Sequence, residues 1–431
     1  MPGSLTMLGA GRRSSAPAWL LSAGGTRASL DIDFVNDLAY NGSLVSIASL
    51  LSCSRASTGY YTKADGTLQS FSSNTLRYGT NGLLVEEART NIVSRSEEFD
   101  NATWTKTATY SSVSANATTA PDGTSTADKF QAADTTAANR QCFQIGLSLS
   151  AAAYTASAYV KDAGNGWVIL NLYDGSNHLA WFQLSGAGTV GTVQAGNTAT
   201  ITALASGWYR ITVTRTAAST ANGGMSIELT TADNVTAVAG VVGNGTYVWG
   251  AQLEAGSFAT SYIPTTSSSA TRAADAITSV SSWLTPGIGT VLADFNLLGG
   301  GYNAVGGNWN TAIAHEIAAS PSNNMAGLGV GSSTTTKAVL RNGGSYQANI
   351  SPTVTLSGNI KGALAYSTND IQAAFNGASS GAAVTTATIP AFDQIRVGYN
   401  AWFSAYLNGN IRRLSYWGSR LAISDMQSLT T

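Results

Sequence analysis

The sequence predicts an all-β protein with two β-sandwich domains in tandem, preceded by an N-terminal arm and a small β-rich attachment region. Short apolar or alternating stretches recur about every ten residues between Gly, Asn, Asp and Ser turns, a pattern typical of sandwiches. Long helical periodicity is almost absent. Charged residues make up only 10% of the 431 residues, against a usual share of about 25%. Hydroxyl, amide and glycine residues must therefore cover the surface, which suits exposed β-sheet.

The clearest local elements are a hairpin, one alternating strand and one helix. "GWVILNLYDGSNHLAWFQL" (166–184) reads as two apolar strands joined by a turn at residues 174–177. In "GWYRITVTRTA" (207–217), apolar and polar side chains alternate, which predicts a strand with one buried and one wet face. At the C-terminus, Ser424 followed three residues later by Gln427 predicts the N-terminus of a helix.

Composition and punctuation divide the chain into five segments. The polar stretch "PTTSSSATRAAD" behind a proline has the character of a linker between two larger units. The predicted segments are a docking arm (1–27), the attachment region (28–92), a first sandwich (93–264), a linker (265–274) and a second sandwich (275–431).

The N-terminal segment predicts an extended arm that docks on a partner. Arg12 and Arg13 precede a short apolar patch at residues 18–21, which faintly resembles a twin-arginine export signal. The patch is shorter than the roughly 7–15 residues of a signal core, and Pro17 lies beside it, so we favour the arm over export. No apolar run approaches the ~20 residues of a membrane helix.

Charge and cysteine content exclude several classes of function. Lys plus Arg number 22 and Asp plus Glu 23, so no basic field exists to attract nucleic acid or an anionic membrane. A neutral ligand or a protein partner fits better, and hydroxyl and amide groups are suited to hydrogen-bonding sugars. Cys53 and Cys142 lie far apart, which excludes a disulfide framework and a four-cysteine zinc site. We expect two free, mostly buried thiols.

The densest patch of charge is "GLLVEEARTNIV" (82–93). Its acids could form an acid/base pair, a metal clamp or a structural ion pair. Glu86 and Glu87 are adjacent, so on a strand they point to opposite faces and cannot act together. Arg89 lies on the same face as Glu87. We therefore predict a structural ion pair, Glu87–Arg89, at the joint between the attachment region and the first sandwich.

This patch also carries a family resemblance. "GLLVEEARTNIVSRSEEFDNATWTKT" (82–107), followed by "TTAPDGTSTADKF" (118–130), is similar to a stretch seen in many tailed-bacteriophage structural proteins. The segment closes with "VWGAQLEAGSFATSYIPT" (248–265), and its order of elements resembles the jelly-roll carbohydrate-binding modules.

The C-terminal segment resembles the concanavalin-like or laminin-G-like domains of phage fibres. The sequence cues are "IQAAFNGAS" (371–379), "IRVGYN" (395–400) and "LNGNIRRLSYWGSRLAISDMQSL" (407–429). Together the resemblances cover about residues 28–431, and they imply that both sandwiches are jelly-roll-like.

The resemblance implies a non-enzymatic virion component, a head spike or a tail fibre exposed on the particle surface. Its N-terminal region would bind other virion proteins, and its sandwiches would bind host-surface polysaccharide as a homo-oligomer, with a trimer as the expectation for this class. One alternative is a decoration or connector protein without glycan binding. Another is a polysaccharide depolymerase whose cleft brings together distant acids such as Glu228 and Glu316.

No cofactor is required by these interpretations, but the resemblance to jelly-roll modules implies a structural calcium ion. Such an ion is held by carboxylates and carbonyl oxygens near the first and last strands. Glu97, Asp100 and Glu254 are the positions to test, with solvated turn and edge residues as the alternative.

Sugar binding uses flat aromatic faces together with side-chain amides. Aromatic residues at turns or strand ends are harder to bury than those within strands and are the better stacking candidates, although core or subunit-interface packing stays open for them. The candidates are Trp167, Trp309, Trp402, Tyr173, Tyr302 and Tyr399. Core packing is expected for Trp104, Trp208, Trp249, Trp283 and Trp417.

The two histidines give no catalytic pattern. His178 lies in the predicted hairpin turn, and His315 precedes Glu316 without completing H-E-x-x-H, because residue 319 is Ala. We expect both to be ordinary surface or edge residues.

Overall fold

The structure is a computed structural model, and the predicted all-β class is confirmed. Two β-sandwiches dominate the fold, and the described residues contain short helices at Ile47–Leu50 and Ile423–Thr430 and a 3-10 turn at Ala205–Gly207. The structure describes residues 17–107, 109–280, 282–298, 310–316, 318–332, 334–354, 358–379, 381, 384–400 and 405–431.

One sandwich, here called the inserted sandwich, is built from strands between residues 105 and 255. Its two sheets enclose an apolar core of their own. The front sheet contains, in spatial order, Thr105–Lys106, Ala137–Leu149, Thr220–Thr230, Trp167–Tyr173, Asn177–Gln183 and Thr189–Val193, with Ala237–Ala239 also paired to Ala137–Leu149. The back sheet contains Ser111–Thr118, Ala127–Ala132, Gly245–Ala255, Ala153–Ala163, Trp208–Thr216 and Thr198–Ala203.

Alternation within strands fills this core, as predicted. The predicted hairpin is present as Trp167–Tyr173 paired with Asn177–Gln183. In Trp208–Thr216 the side chains of Tyr209, Ile211 and Val213 are buried, and the polar residues between them are half-buried on the other face. A period of two is therefore enough to place these residues.

The other sandwich, here called the split sandwich, draws its strands from both sides of the inserted one. Its larger sheet contains, in order, Ala378–Ser379, Asp370–Phe375, Ile360–Ser367, Gly289–Leu297, Gly409–Trp417, Leu30–Asp33, Leu38–Asn41 and Leu44–Val45, with Gly82–Val85 also paired to Gly409–Trp417 and Tyr78–Gly79 to Gly82–Val85. Its smaller sheet contains Ser345–Ile350, Thr336–Asn342, Met325–Val330, Asn310–Glu316, Gln394–Val397, Ala276–Val280 and Leu51–Ser54.

The split topology corrects the predicted domain order. Residues 28–92 do not form a separate attachment region, because Leu30–Asp33 and Gly82–Val85 both pair with Gly409–Trp417. Leu51–Ser54 pairs with Ala276–Val280 in the opposite sheet. The first sandwich is thus an insertion within the second. Local sequence pattern does not mark pairing partners that lie more than two hundred residues apart, which is why the tandem arrangement was expected.

The predicted arm also differs from expectation where it is described. Residues 1–16 lie outside the described residues. From residue 17 the chain packs on the split sandwich, where Leu20 and Ala23 are buried in one cluster with Met426 of the C-terminal helix. A short hairpin, Ser22–Ala23 with Thr26–Arg27, completes this contact.

The C-terminal helix begins slightly before its predicted start. It covers Ile423–Thr430, with Ala422 at the N-cap and no side-chain cap. Ser424 therefore lies inside the first turn and does not cap the helix. The helix is held by its buried face, since Met426 and Thr430 are buried against the larger sheet.

The predicted linker is an ordered ribbon between the sandwiches. Arg89–Asn91 leads into the inserted sandwich, and Ala270–Arg272 leaves it. The two segments pair antiparallel, with Arg89 opposite Arg272. Both crossings between the sandwiches therefore lie side by side, and the stretch 265–274 is not a flexible spacer.

A second connection is made by a hairpin of the split sandwich, Gly59–Thr62 with Leu68–Phe71. It packs on the outer surface of the back sheet, where Leu68 is buried in one cluster with Trp208 and Trp249. The backbone N–H of Leu68 donates to the carbonyl of Pro121 at 2.9 Å. This hairpin covers part of the back sheet and leaves the front sheet uncovered.

A buried charge network lies where the two crossings meet. Arg77 contacts Glu86 at 2.8 Å and Asp275 at 2.5 Å, and Arg55 contacts Asp275 at 2.8 Å. Arg272 lies 3.5 Å from Glu86. All five side chains are at most 1% exposed. Unpaired, each charge would carry a heavy desolvation cost, so the network demands that all its members be present.

The inserted sandwich contributes to this network through Ser261, whose backbone N–H and hydroxyl donate to Glu86 at 2.7 and 2.6 Å. Burial raises the pKa of Glu86, but Arg272, Arg77 and these hydrogen bonds outweigh it and lower that pKa to about 2. The ionised carboxylate therefore stabilises the fold above about pH 4.5. That contribution is lost as the pH falls towards 2.

The predicted ion pair lies just outside the network. The Arg89 Nε donates to Glu87 Oε1 at 2.6 Å, and Glu87 is 26% exposed. The guanidinium also donates to the carbonyl of Ala255 and lies over the ring of Phe258. Glu87 and Arg89 thus hold the ribbon against the inserted sandwich, which is the structural role expected of them.

Glu86 lies inside the buried network and Glu87 lies outside it, so substitutions at these two adjacent residues test the role of the network. We expect Glu86→Ala to lower the free energy of unfolding by about 3–5 kcal/mol, because it leaves the three buried arginines of the network to share the single carboxylate of Asp275. Glu87→Ala removes a partly exposed carboxylate from Arg89, whose guanidinium keeps its contacts with Ala255 and Phe258, so it should cost no more than about 1 kcal/mol. Urea denaturation of both variants at pH 7 measures the difference. Equal losses would contradict the assigned role of the network.

Candidate functional site

The candidate site lies on the outer face of the front sheet. On Ala137–Leu149, Gln141 and Phe143 face outward, while Cys142 between them is buried in the core. Strand register places Phe143 beside Ser226, and Ser226 beside Asn171 on the next strand. Neighbouring strands thus bring polar and aromatic side chains into rows on one surface.

A groove opens in this surface at Gly224. The register puts Ile145 on one side of Gly224 and Tyr173 on the other, so a residue without a side chain lies between two large ones. A Cβ atom at Gly224 would collide with the carbonyl oxygen of Gln144, which leaves glycine as the residue that fits. The groove has a volume of about 190 Å³ and is lined by Gln141, Phe143, Ile145, Asn171, Tyr173, Asn177, Met225 and Ser226.

The groove walls combine apolar surface with amides. Ile145 is 45% exposed, an unusual value for an aliphatic side chain in the middle of a strand. Phe143 and Tyr173 are half-buried, and Asn177 is exposed at the turn of the hairpin. Recognition sites for small ligands typically combine apolar surface with a few placed polar groups in this way.

On the same face of the sheet, next to Gln141 and Ser226, lies a buried carboxylate, Glu228, at 2% exposure. The Gln141 Nε2 donates to Glu228 Oε1 at 2.9 Å, and the Ser226 hydroxyl donates to the same oxygen at 2.8 Å. Burial raises the pKa of Glu228, and the hydrogen bonds from Ser226, Gln141 and Asn171 only partly oppose this rise. Neutral donors act on this acid, and no Arg or Lys of the described residues is among its partners.

Asn171 connects the groove floor with its rim. Its Nδ2 donates to Asn177 Oδ1 at 2.9 Å and to the Ser226 hydroxyl at 3.1 Å. Its Oδ1 accepts from the backbone N–H of His178 at 2.8 Å. The amide is therefore held at both ends, and its orientation is fixed.

The structure separates the predicted stacking residues. Tyr173 forms one wall of the groove. Trp167 lies at the far end of the same sheet face, half-buried against Ile169 and Trp181. Tyr399 belongs to the split sandwich and is only 6% exposed. Its hydroxyl accepts from the Arg396 Nη1 at 2.6 Å, so Tyr399 is packed as a structural residue. Trp309, Trp402 and Tyr302 lie outside the described residues.

Core packing of the other tryptophans is confirmed in four cases. Trp104, Trp208, Trp249 and Trp417 are at most 2% exposed. Trp283 is partly buried and packs against the core of the split sandwich. Cys53 and Cys142 are free thiols, as predicted, and lie in different sandwiches.

The residues predicted to hold calcium do not converge. Glu97 and Asp100 line one cleft together with Asp128. Glu254 is fully buried, and its carboxylate accepts hydrogen bonds from Thr260 and Gln252. Within the ranges that the structure describes, no group of three or more His, Cys, Asp or Glu side chains is placed to hold a metal ion. A structural calcium ion stays a prediction.

The acids proposed for a depolymerase are also apart. Glu228 lies on a strand of the front sheet of the inserted sandwich, opposite Gln141. Glu316 is buried in the smaller sheet of the split sandwich, where it forms an ion pair with Arg396. Glycoside hydrolysis needs two carboxylates on either side of one bond, and these two do not share a cleft.

The histidines have structural surroundings. His178 lies at the hairpin, with its Nε2 at 2.7 Å from Asp174 Oδ1 and its other ring nitrogen on Arg215. His315 is only 1% exposed, so its expected place at the surface was wrong. It lies in the core among the rings of Trp283 and Phe392. Nothing in the local sequence around His315 indicates that its polar side chain is buried.

Most of the groove was not identified from the sequence. Gln141, Phe143 and Ile145 alternate in "NRQCFQIGL", which places them on one face of a strand. Which face it is, and that Asn171 and Asn177 lie beside it, depends on pairing with strands distant in sequence. Of the residues that line the groove, the sequence predicts only Tyr173 as a binding residue.

Comparisons with known proteins give weak likenesses. No family model matches the chain, and no curated protein matches it. Among solved structures, a native heptameric SAP-like pentraxin from Limulus polyphemus has a TM-score of 0.27 at 14% identity, covering 34% of this chain and 70% of that chain. The CBM40 of Ruminococcus gnavus IT-sialidase, bound to α2,3-sialyllactose, has a TM-score of 0.26 at 15% identity, covering 34% and 84%. Domains LG4-5 of the mouse laminin α1 chain have a TM-score of 0.23 at 11% identity, covering 66% and 85%. The β-sandwich fold itself is established by the strand pairing.

Among the residues that the structure describes, no helix has the length and apolar character of a membrane span.

The buried histidine predicts a pH dependence of stability. The His315 Nδ1 lies 3.3 Å from the Tyr366 hydroxyl, and no described residue bonds its Nε2. Burial lowers the pKa of His315 to about 3. The unfolded chain therefore binds an extra proton between about pH 3 and 6.5, and stability falls as the pH drops through that window. The slope is up to about 1.4 kcal/mol per pH unit.

Urea denaturation between pH 4.5 and 7 checks this expectation. His315→Phe keeps an aromatic ring in the cluster without a titrating group, so its stability should vary less over this range. His178→Gln, at the hairpin, is the control and should keep the steep dependence. If the free energies of unfolding of the wild type and of His315→Phe varied with pH in the same way, His315 would not be the cause of the pH dependence.

Proposed function

We propose that the inserted sandwich binds a saccharide, without catalysis, in the groove between Ile145 and Tyr173. The observation that carries this proposal is the arrangement beside Gly224, where Ile145 and Tyr173 flank a residue without a side chain and the amides of Gln141, Asn171 and Asn177 line the groove. The groove volume of about 190 Å³ gives room for a small part of a ligand, such as one ring of a saccharide chain.

Each part of the groove matches one part of a sugar. The apolar C–H face of a pyranose ring packs against Tyr173, Phe143 and Ile145. Hydroxyl groups at the ring edge exchange hydrogen bonds with the amides of Gln141 and Asn177. Such contacts need no net charge on the protein, in keeping with the near balance of 22 basic and 23 acidic residues.

The position of the groove supports access by a large ligand. The back sheet is partly covered by the hairpin Gly59–Thr62 with Leu68–Phe71. The front sheet lies on the opposite side of the inserted sandwich, so its outer face points away from that contact. A saccharide chain attached to a surface could therefore reach the groove without displacing any part of the split sandwich.

The proposal does not include an enzymatic activity. The described residues that line the groove contain no Asp or Glu. Glu228 is buried next to Gln141 and Ser226, which donate hydrogen bonds to it. A hydrolase of the usual kind would need two carboxylates facing the scissile bond.

For the whole chain we propose a role as a spike or fibre on the surface of a tailed-bacteriophage particle. Support for this comes from the sequence resemblance of residues 82–107 and 118–130. In this role the N-terminal region contacts other virion proteins, the sandwiches face the host, and a homo-oligomer, with three copies as the expectation, multiplies weak sugar contacts. Immunogold labelling of intact particles with an antibody to this chain tests it, and label absent from intact particles would contradict it.

Glycan binding is tested on an array of host-surface and other polysaccharides. We expect the wild-type protein to bind a subset of the array and Tyr173→Ala to bind those glycans about tenfold more weakly, a loss of about 1.4 kcal/mol. The loss follows from removing one stacking wall. Tyr346→Ala is the matched control, because Tyr346 is 50% exposed on the split sandwich and lies outside the groove. It should bind like the wild type.

Two further measurements separate the alternatives. Trp309→Ala and Trp402→Ala test whether the split sandwich holds the site, since loss of binding in these variants with Tyr173→Ala unchanged would move the site there. An assay for new reducing ends after incubation with capsule or lipopolysaccharide tests for a depolymerase. A protein that binds no glycan on the array would favour the decoration or connector role.

A further inference from the structure

The polar side chains of the groove form an ordered chain of donors and acceptors that starts at Glu228. The NH₂ group of a glutamine amide can only donate hydrogen bonds, and the Ser226 hydroxyl donates to the same oxygen of Glu228. Glu228 Oε1 lies 2.9 Å from the Gln141 Nε2 and 2.8 Å from the Ser226 hydroxyl. Both partners must therefore donate to it, and the buried acid dictates which way each of them points.

The first consequence concerns Gln141 at one end of the groove. Its NH₂ group faces Glu228, so its carbonyl oxygen is turned away from the acid. Because Gln141 lines the groove and is half-buried, this oxygen is the atom offered to a ligand. This end of the groove accepts hydrogen bonds, as a sugar hydroxyl can donate them.

The second consequence runs through Ser226 to the other end. Since its hydroxyl proton is used on Glu228, Ser226 accepts from the Asn171 Nδ2 at 3.1 Å. The same nitrogen donates to Asn177 Oδ1 at 2.9 Å. The carbonyl oxygen of Asn177 is thus occupied, and its exposed NH₂ group is left to donate. A hydroxyl oxygen of a sugar can accept there.

Charge is the third feature of the network. The carboxylate of Glu228 is surrounded by neutral donors, and no Lys or Arg of the described residues pairs with it. The groove lining that the structure describes contains no Lys or Arg either. A carboxylate on the ligand would face the carbonyl oxygen of Gln141 and would find no cation in this lining to pair with, which disfavours its binding.

We propose that Glu228 is a positioning residue that sets the hydrogen-bonding direction of the groove, and that the groove selects uncharged saccharides over saccharides that carry a carboxylate. This inference rests on the proposed sugar-binding function and adds its ligand class. Glu228 does not touch the ligand. It acts through Gln141 and Ser226, which it holds in one orientation.

The test uses the full chain on an array with matched pairs, in which neutral hexose or N-acetylhexosamine oligosaccharides stand beside uronate-containing or sialylated counterparts. We expect the wild-type protein to bind its neutral glycans at least tenfold more tightly than their carboxylated counterparts. Equal binding of both members of a pair would overturn the inference and leave sugar binding intact. Binding to no glycan at all would overturn both.

The variant Glu228→Gln assigns the selectivity to this residue. It keeps the size of the side chain but adds a donor, so Gln141 is no longer held in one orientation and its NH₂ group can turn towards a carboxylate on the ligand. We expect the ratio of neutral to carboxylated binding to fall at least tenfold. Glu254→Gln is the matched control, because Glu254 is equally buried on the back sheet and also bound by neutral donors, Thr260 and Gln252. Its ratio should equal that of the wild type.

A ratio unchanged in Glu228→Gln, in a variant that melts as cooperatively as the wild type, would overturn the positioning role. A ratio that falls equally in both variants would overturn it as well, since a general loss of core stability would then explain the result. If Glu228→Gln does not fold, the wild-type ratio on the array alone decides the ligand class.

Discussion

The fold depends on a group of buried charges at the point where the chain passes twice between the sandwiches. Glu86 precedes the first crossing, and Arg272 and Asp275 flank the end of the second. Arg55 and Arg77 from the split sandwich complete the group. Buried ions are costly unless every partner is in place, so the network is formed only when the two crossings lie side by side. Ser261 adds a bond from the inserted sandwich, which fixes that sandwich against its host.

From this junction follows the division of the inserted sandwich into a covered and an open face. The hairpin that includes Leu68 is part of the split sandwich and reaches the back sheet beside the junction. The aromatic residues on the outer face of the back sheet therefore pack in an internal interface with the split sandwich. On the outer face of the front sheet, Phe143, Ile145 and Tyr173 are partly or largely exposed. Exposed apolar groups in a rigid sheet are the expected setting for a small-ligand site.

Two buried glutamates show how the same residue type serves different ends. Glu86 is surrounded by arginines, and its pKa is lowered to about 2. Glu228 is surrounded by neutral donors, and burial raises its pKa. The first arrangement joins two domains through strong charge pairing. The second arrangement orients side chains at a surface, because Gln141 and Ser226 both donate hydrogen bonds to this carboxyl group. Because only 10% of the residues are charged, these two buried carboxyl groups are unusual features of the chain.

The sequence by itself determined the all-β class, the hairpin from Trp167 to Gln183, the burial of most tryptophans and the pairing of Glu87 with Arg89. These features depend on residues close together in the chain, where a period of two and turn residues report the local geometry directly. Only the tertiary structure decided that one sandwich is inserted in the other, that the supposed linker is a paired ribbon, that His315 is buried, and that the groove is formed by Gln141, Phe143, Ile145 and Asn177 around Tyr173. The reason is that strand pairing joins residues up to several hundred positions apart, and local pattern carries no information on which strands will meet.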